Sequence, residues 1–272
     1  MDKLSKIPKQ RSKIRMAVGK TYYSLLRYLK WHDCGPFAKK YSDAVLPEIQ
    51  FQHATPMLRH LRGLELQLQY NKVVNLRLAC SKVNGIILHP RETFSYWKAI
   101  GKPTARKGYL PGMVLVNGKV IAGIGGGLCQ LSNLIFWLTL HTPLTVVERH
   151  HHGYDVFPDS NRTQPFGSGA TCFYPYGDLM IRNDTDRDFQ LCLWVERENL
   201  VGEWRSTQPS DERYEIVEKN HCIRGEYWGG FTRHNELWRR ISDSDGNFLR
   251  EGFITENHAF MMYEPFLEAK AL

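Results

Sequence analysis

The sequence predicts an α+β fold, with a helical N-terminal region and one buried central helix packed on an antiparallel, β-rich body. Three observations point there. Apolar residues recur at three- and four-residue spacing in the first third of the chain. The stretch from Cys129 to His141 is apolar nearly all round, and from Thr145 onward short β-branched and aromatic runs alternate with turn residues.

Tyr22, Leu25, Leu26 and Leu29 lie at helical spacing beside Lys20, Arg27 and Lys30, the pattern of a basic amphipathic helix. From Tyr70 to Leu88 the pattern is again helical. Val73, Leu76, Cys80 and Val83 share a face, and Asn84-Gly85 suits a C-terminal stop. Val114-Leu115-Val116, Asn117-Gly118 and Lys119-Val120-Ile121 read as a hairpin, since Asn-Gly takes the positive φ angles of a two-residue turn. The helix from Cys129 is ended by Pro143 and belongs in the interior. Strands are expected near 145–152, 170–174, 178–183, 189–196, 201–206 and 213–218, then a hairpin turning at Asp243-Ser244-Asp245-Gly246. Residues 1–40 form a basic helical head, and 41–272 a single α+β domain with a C-terminal β extension.

The charge supports that division. Residues 1–40 hold eleven Lys or Arg against two Asp, a net of +9; the rest carries 25 basic and 26 acidic residues, a net of −1. Such a head suits an anionic membrane surface, or it packs its apolar stripe on the body. Nucleic acid is not an expected partner, because the near-neutral body has no basic stripe and no recognition motif.

With 42% hydrophobic and 12% aromatic residues the chain is no disordered polymer. Leu128 to Val147 comes nearest to a membrane span but is broken by Gln130, Ser132, Asn133, His141 and Pro143. No apolar signal core follows the basic start, and the six Cys contain no C-x-x-C pair. These features predict reduced thiols and a cytoplasmic protein, peripheral at the inner face of the membrane if the head binds it. Asp243-Ser-Asp-Gly-Asn lacks the later Glu of a calcium loop and reads as a turn. Asn161-Arg-Thr and Asn183-Asp-Thr match the glycosylation triplet, which matters only with secretion.

Gly125-Gly126-Gly127-Leu128-Cys129-Gln130 is the most informative stretch. Three glycines let the backbone approach another chain or a substrate closely, and they deliver it to a helix start. There the dipole is expected to lower the Cys129 pKa, and the amides around Gly127–Gln130 to hold an oxyanion. Glu148-Arg149-His150-His151-His152 supplies a base: on a strand, His150 and His152 share one face. Asp155 or Asp178 is the expected orienting group for the ring. Zinc on Cys129, His150 and His152 lacks a fourth ligand at recognisable spacing, so no metal or cofactor is expected. The opposing reading is a buried packing cysteine beside surface histidines.

Gly125-Gly-Gly-Leu-Cys129-Gln130-Leu-Ser132-Asn133, followed by Leu140-His-Thr-Pro-Leu-Thr-Val-Val-Glu148-Arg149-His150, resembles the VanW family. Asn84-Gly-Ile-Ile-Leu-His-Pro-Arg-Glu92-Thr93-Phe94-Ser95 and Asp178-Leu-Met-Ile-Arg182-Asn183-Asp184-Thr185 agree with it. The resemblance implies a link to glycopeptide resistance and the cell wall. Some proteins carrying this domain act as peptidoglycan L,D-transpeptidases through the motif cysteine. It therefore implies a thiol-dependent acyl transfer on peptidoglycan peptides or their precursors. Cys129 is then the nucleophile, and His150 or His152 the general base. Gly125, Gly126, Gly127, Gln130, Glu148 and Arg149 contact the substrate. The alternative is a non-catalytic cell-wall binding or scaffold protein. Two departures stand out. Arg91 occupies a position where the family often has Gly, so different backbone angles are expected there. Gly169 stands where many members have Asp, which leaves no third carboxylate.

Overall fold

The computed structural model describes residues 12–33, 35–58, 66–116, 118–156 and 164–265. Residues 1–11 of the basic head, Cys34, Asn117 and Asn161 lie outside them. The fold is α+β, as the sequence pattern predicts.

A five-stranded antiparallel sheet carries the core. Its order is β1 (Lys40–Tyr41), β3 (Ile86–Leu88), β10 (Phe189–Glu196), β11 (Asn199–Ser206) and β2 (Glu48–Pro56). Helix α2 (Leu66–Val83) and helix α4 (Cys129–Leu140) pack on it through Leu76, Ala79, Val83, Leu131, Leu134 and Leu138, all essentially buried. Nine of the twelve residues of α4 are buried, which is why its sequence is apolar on every side. Some of the polar groups inside are paired, whereas the Trp137 indole N–H and the Tyr109 hydroxyl are buried without a hydrogen-bond partner among the described residues. Trp204 of β11 donates its indole N–H to Thr139 Oγ1 at 3.0 Å.

A three-stranded sheet, β4 (Thr93–Ser95), β9 (Met180–Arg182) and β7 (Thr145–Glu148), leads into the short helix α3 (Tyr96–Ile100). The expected hairpin forms as β5 (Pro111–Val116) and β6 (Lys119–Ile124), with Gly118 at φ +77°. The C-terminal extension is a meander of β12 (Glu212–Gly225), β13 (Phe231–Asp243) and β14 (Phe248–Met261), with β8 (Tyr154–Asp155) added in parallel at Phe260 and Met261.

Several expectations need correction. The helix read as far as Leu88 ends at Val83, because Gly85 turns the chain at φ +81° and Ile86–Leu88 continues as β3. The strand expected over 145–152 stops at Glu148, after a register shift between Val146 and Glu148. The alternation argument for His150 and His152 therefore lapses. Residues 170–174 form no strand beyond an isolated bridge from Phe173 to Gly177.

Helix α1 (Lys13–Asp33) lies across the body in an unexpected orientation. Tyr22, Leu25, Leu26 and Leu29 are exposed, whereas Arg27 is buried. The helix docks through the face that carries Arg27 and Trp31, not through its apolar stripe. Of the described helices, none is long and apolar enough to cross a membrane.

Candidate functional site

Glu148 closes β7 and gathers four donors. Arg27 of α1 grips both of its oxygens, Lys30 reaches Oε2, and the Asp178 N–H donates to Oε1 at 3.2 Å. His150 Nε2 lies 3.0 Å from Oε1. Burial works against the charged carboxylate, but the hydrogen bonds from His150, Arg27 and Lys30 outweigh it and hold the acid well below the usual carboxylate range. Glu148 is therefore ionised at any ordinary pH and orients the His150 ring. That assignment replaces Asp155 and Asp178 as the orienting group. Asp155 instead accepts from the Tyr263 hydroxyl at 2.9 Å and faces Arg233. Asp178 is buried under Ser95 Oγ (2.5 Å), the Trp31 indole (3.2 Å) and the Trp97 amide (3.0 Å).

Cys129 begins α4. Its thiol donates to the Cys172 carbonyl at 3.9 Å, and no hydrogen bond joins it to either candidate histidine. Burial pushes its pKa up, so the expected lowering at a helix start is overturned: desolvation of a thiolate costs more than the helix terminus returns. The distance is bridged by one segment of backbone. Thr171 N–H donates to the His150 carbonyl at 2.8 Å, and the next residue, Cys172, receives the Cys129 thiol. His152 packs its ring edge-on to Phe173, 6.1 Å between centroids, and burial lowers its pKa.

The glycines pack protein against protein. A Cβ on Gly126 would meet the Gly112 backbone at 2.1 Å, and one on Gly127 (φ +90°) would meet the Lys72 side chain at 2.1 Å. Asn75 seals this contact by donating to the Gly126 and Leu110 carbonyls at 2.9 and 3.0 Å. Gly125 turns the chain at φ +74° against Pro103. The close approach read from the motif is thus to another segment of the chain. The Gln130 amide is taken by the Gly127 carbonyl (3.0 Å), and its side chain ties to Thr55 Oγ1 and the Pro56 carbonyl.

Arg149 is likewise an internal brace. Its guanidinium donates to the Gly169 carbonyl (2.8 Å), the Gly167 carbonyl, Thr255 Oγ1 (3.0 Å) and Asn257 Oδ1 (3.2 Å). Turning Arg149 inward ends β7 and fastens the C-terminal meander to the core.

Between the two lies a groove of about 480 Å³, lined by Phe136, Leu144, Glu148, Arg149, His151 and Arg239. Residues 145–148 of β7 and 252–255 of β14 both line it. Among the described residues β7 is an edge strand, and β8 pairs β14 only at Phe260 and Met261, so both lining segments offer a strand edge.

The structure thus brings Glu148 and His150 together and leaves Cys129 one segment away. The sequence reading placed Arg27 and Lys30 on the basic amphipathic helix but did not single them or Trp31 out as partners of the site. Their only signal was a buried arginine's place opposite the apolar stripe of its helix.

The family model described as VanW like protein matches residues 71–205, which include the glycine turn, Cys129, Glu148 and His150. The chain is 35% identical over 181 residues to the vancomycin B-type resistance protein VanW of Enterococcus faecalis, covering 66% of each chain. It is 33% identical over 109 residues to the uncharacterized protein YoaR of Bacillus subtilis, covering 40% of this chain and 34% of that one. The chain therefore matches about two thirds of one relative's length and one third of the other's. No solved structure matches. On the family model and the enterococcal relative, the chain belongs to the VanW family.

Proposed function

We propose that this protein is a thiol-dependent acyl-transfer enzyme acting on peptidoglycan peptides or their precursors, in the setting of vancomycin resistance that the enterococcal relative's name records. The observation that carries this reading is the Glu148–His150 pair, an ionised carboxylate 3.0 Å from an imidazole. Glu148 lines the groove, and His150 lies one hydrogen-bonded segment from Cys129.

The chemistry divides among these groups. The Cys129 thiol is neutral at rest, so it needs a base when a carbonyl arrives. His150, steadied by Glu148, takes the thiol proton as sulfur attacks the amide carbon. The C–N bond breaks, and the departing amine takes that proton from the imidazolium. A second peptide's amine, or water, attacks the thioester and gives a proton back through His150, restoring the thiol.

A second reading has its own support. The raised thiol pKa, and the lack of a hydrogen bond between Cys129 and either ring, favour a non-catalytic protein that binds the same peptides in the groove. Turnover separates the two. Mixed with a stem tetrapeptide and an amine-bearing stem peptide, the wild type forms cross-linked product on the enzyme reading. Cys129→Ala abolishes this, and His150→Ala lowers kcat by about 10²–10⁴-fold. No product from wild type, with equal peptide affinity in wild type and Cys129→Ala, selects the binding reading.

A further inference from the structure

We infer that α1 is an in-plane membrane anchor whose outer face, Ile14, Val18, Tyr22, Leu25 and Leu29, inserts into an anionic lipid surface. These five residues are 78%, 64%, 56%, 60% and 62% exposed. At 100° per residue they fall within an arc of about 80°, one continuous apolar stripe. Arg27, buried against Glu148, lies about 180° away on the same wheel. The helix is therefore clamped to the body by the face that carries Arg27 and Trp31, and its apolar stripe is turned outward over most of its length.

A stripe of this kind needs a cover, since large contiguous apolar patches mark an interaction face. The charge decides which. Residues 12–32 contain no acid; Arg27 and Lys30 are taken by Glu148, which leaves Lys13, Arg15 and Lys20, preceded in sequence by Lys3, Lys6, Lys9 and Arg11, as the basic residues for a lipid surface. A second copy of this helix would bring like charges together with no acidic complement. Anionic lipid headgroups supply the missing charge, and their acyl boundary supplies the apolar phase. No helix among the described residues can span a bilayer, so an in-plane seat is the geometry left to α1.

The anchor also sets where the site stands. The face opposite the stripe holds Glu148, which places the Glu148–His150 pair about one helix diameter, 10–12 Å, above the lipid. Resting on the proposed acyl transfer, this position suits a peptide precursor that is itself attached to lipid.

Flotation of the full chain with vesicles tests the anchor. Binding should be at least about tenfold stronger to phosphatidylcholine containing about 30 mol % phosphatidylglycerol than to phosphatidylcholine alone. It should fall steeply from about 50 mM to about 500 mM NaCl. Val18→Glu/Leu25→Glu should abolish it, with the body still folded by circular dichroism. In a separate variant, Tyr22→Trp should be quenched by brominated lipid. Unchanged binding by the Glu variant, or no quenching, overturns the inference. So does a lipid-free dimer that the Glu variant dissolves, because the stripe then covers a second copy. Cys129→Ala should float like wild type; wild type that floats but shows no turnover refutes the enzyme alone, and wild type that turns over without floating refutes the anchor alone.

Discussion

Arg27 in α1 and Glu148 at the end of β7, 121 residues apart in sequence, form a two-pronged ion pair with side chains only 5% and 10% exposed. This pair joins the basic head to the family motif. It also fixes the orientation of α1, because Arg27 sends a second bond to the Tyr176 carbonyl at 2.6 Å and Trp31 reaches Asp178.

Removing one partner of so enclosed a pair leaves a charge buried with less compensation. Arg27→Met should cost about 3 kcal/mol or more, read as the urea midpoint at constant m-value. Amide exchange should rise through residues 24–31 as α1 comes away from the body. A loss under 1 kcal/mol, with unchanged exchange, would mean that the helix is held by something else.

The same pair gives a pH signature. Glu148 is held below its unfolded value, so it stabilises the fold fully above about pH 4.3 and loses that contribution as pH falls toward its folded pKa. The stability gap between wild type and Glu148→Gln should be flat from pH 5 to 8 and shrink below about pH 4. A gap that widens on acidification would reverse the assigned sign.

Arg91 offers a gain. It has φ +67°, the left-handed region, with its amide donating to the Asn183 carbonyl at 2.7 Å. The expectation of changed backbone angles fails here: the turn keeps the conformation that suits the family's usual Gly, and an arginine bears the strain. Arg91→Gly should relieve about 1–2 kcal/mol of strain and lose part of it to chain entropy, for a net rise of several tenths to about 1 kcal/mol. A lower melting temperature for the variant would show that the Arg91 side chain does more than tolerate the turn.

How much was legible follows from where each signal resides. The apolar face of α2, the all-round apolar run of α4 and the Asn-Gly hairpin are local, and each was readable residue by residue. Strands β1, β3 and β4 have two or three residues, too few for a period to show. Cys129, Glu148 and His150 stood out because glycine and histidine clusters are conspicuous. Their partners did not, because Arg27 to Glu148 and Arg149 to Asn257 are contacts between distant segments. The same limit explains the thiol: a helix start is visible in sequence, but the burial that overrides it is not.

Thiol reactivity follows from that burial. Among the described cysteines Cys80 is pushed up to about 12 and Cys192 to about 11, and burial raises Cys129 and Cys172 as well. Cys129 and Cys222 are both half-buried, and desolvation raises the pKa of the Cys129 thiol. Pulse alkylation near neutral pH should therefore label Cys222 before Cys129 in the free protein. Faster labelling at Cys129 would show a thiolate already formed, contrary to the neutral resting thiol.

The central claim is that Cys129 accepts an acyl group, and trapping that thioester tests it most directly. The full chain is mixed with a stem tetrapeptide, quenched in acid within the first turnovers and mapped by mass spectrometry. The acyl enzyme predicts one peptide-sized adduct on the fragment carrying Cys129, absent from Cys129→Ala and accumulating more slowly in His150→Ala. An unmodified Cys129 under conditions where the peptide binds, or an adduct confined to Cys222, would contradict it.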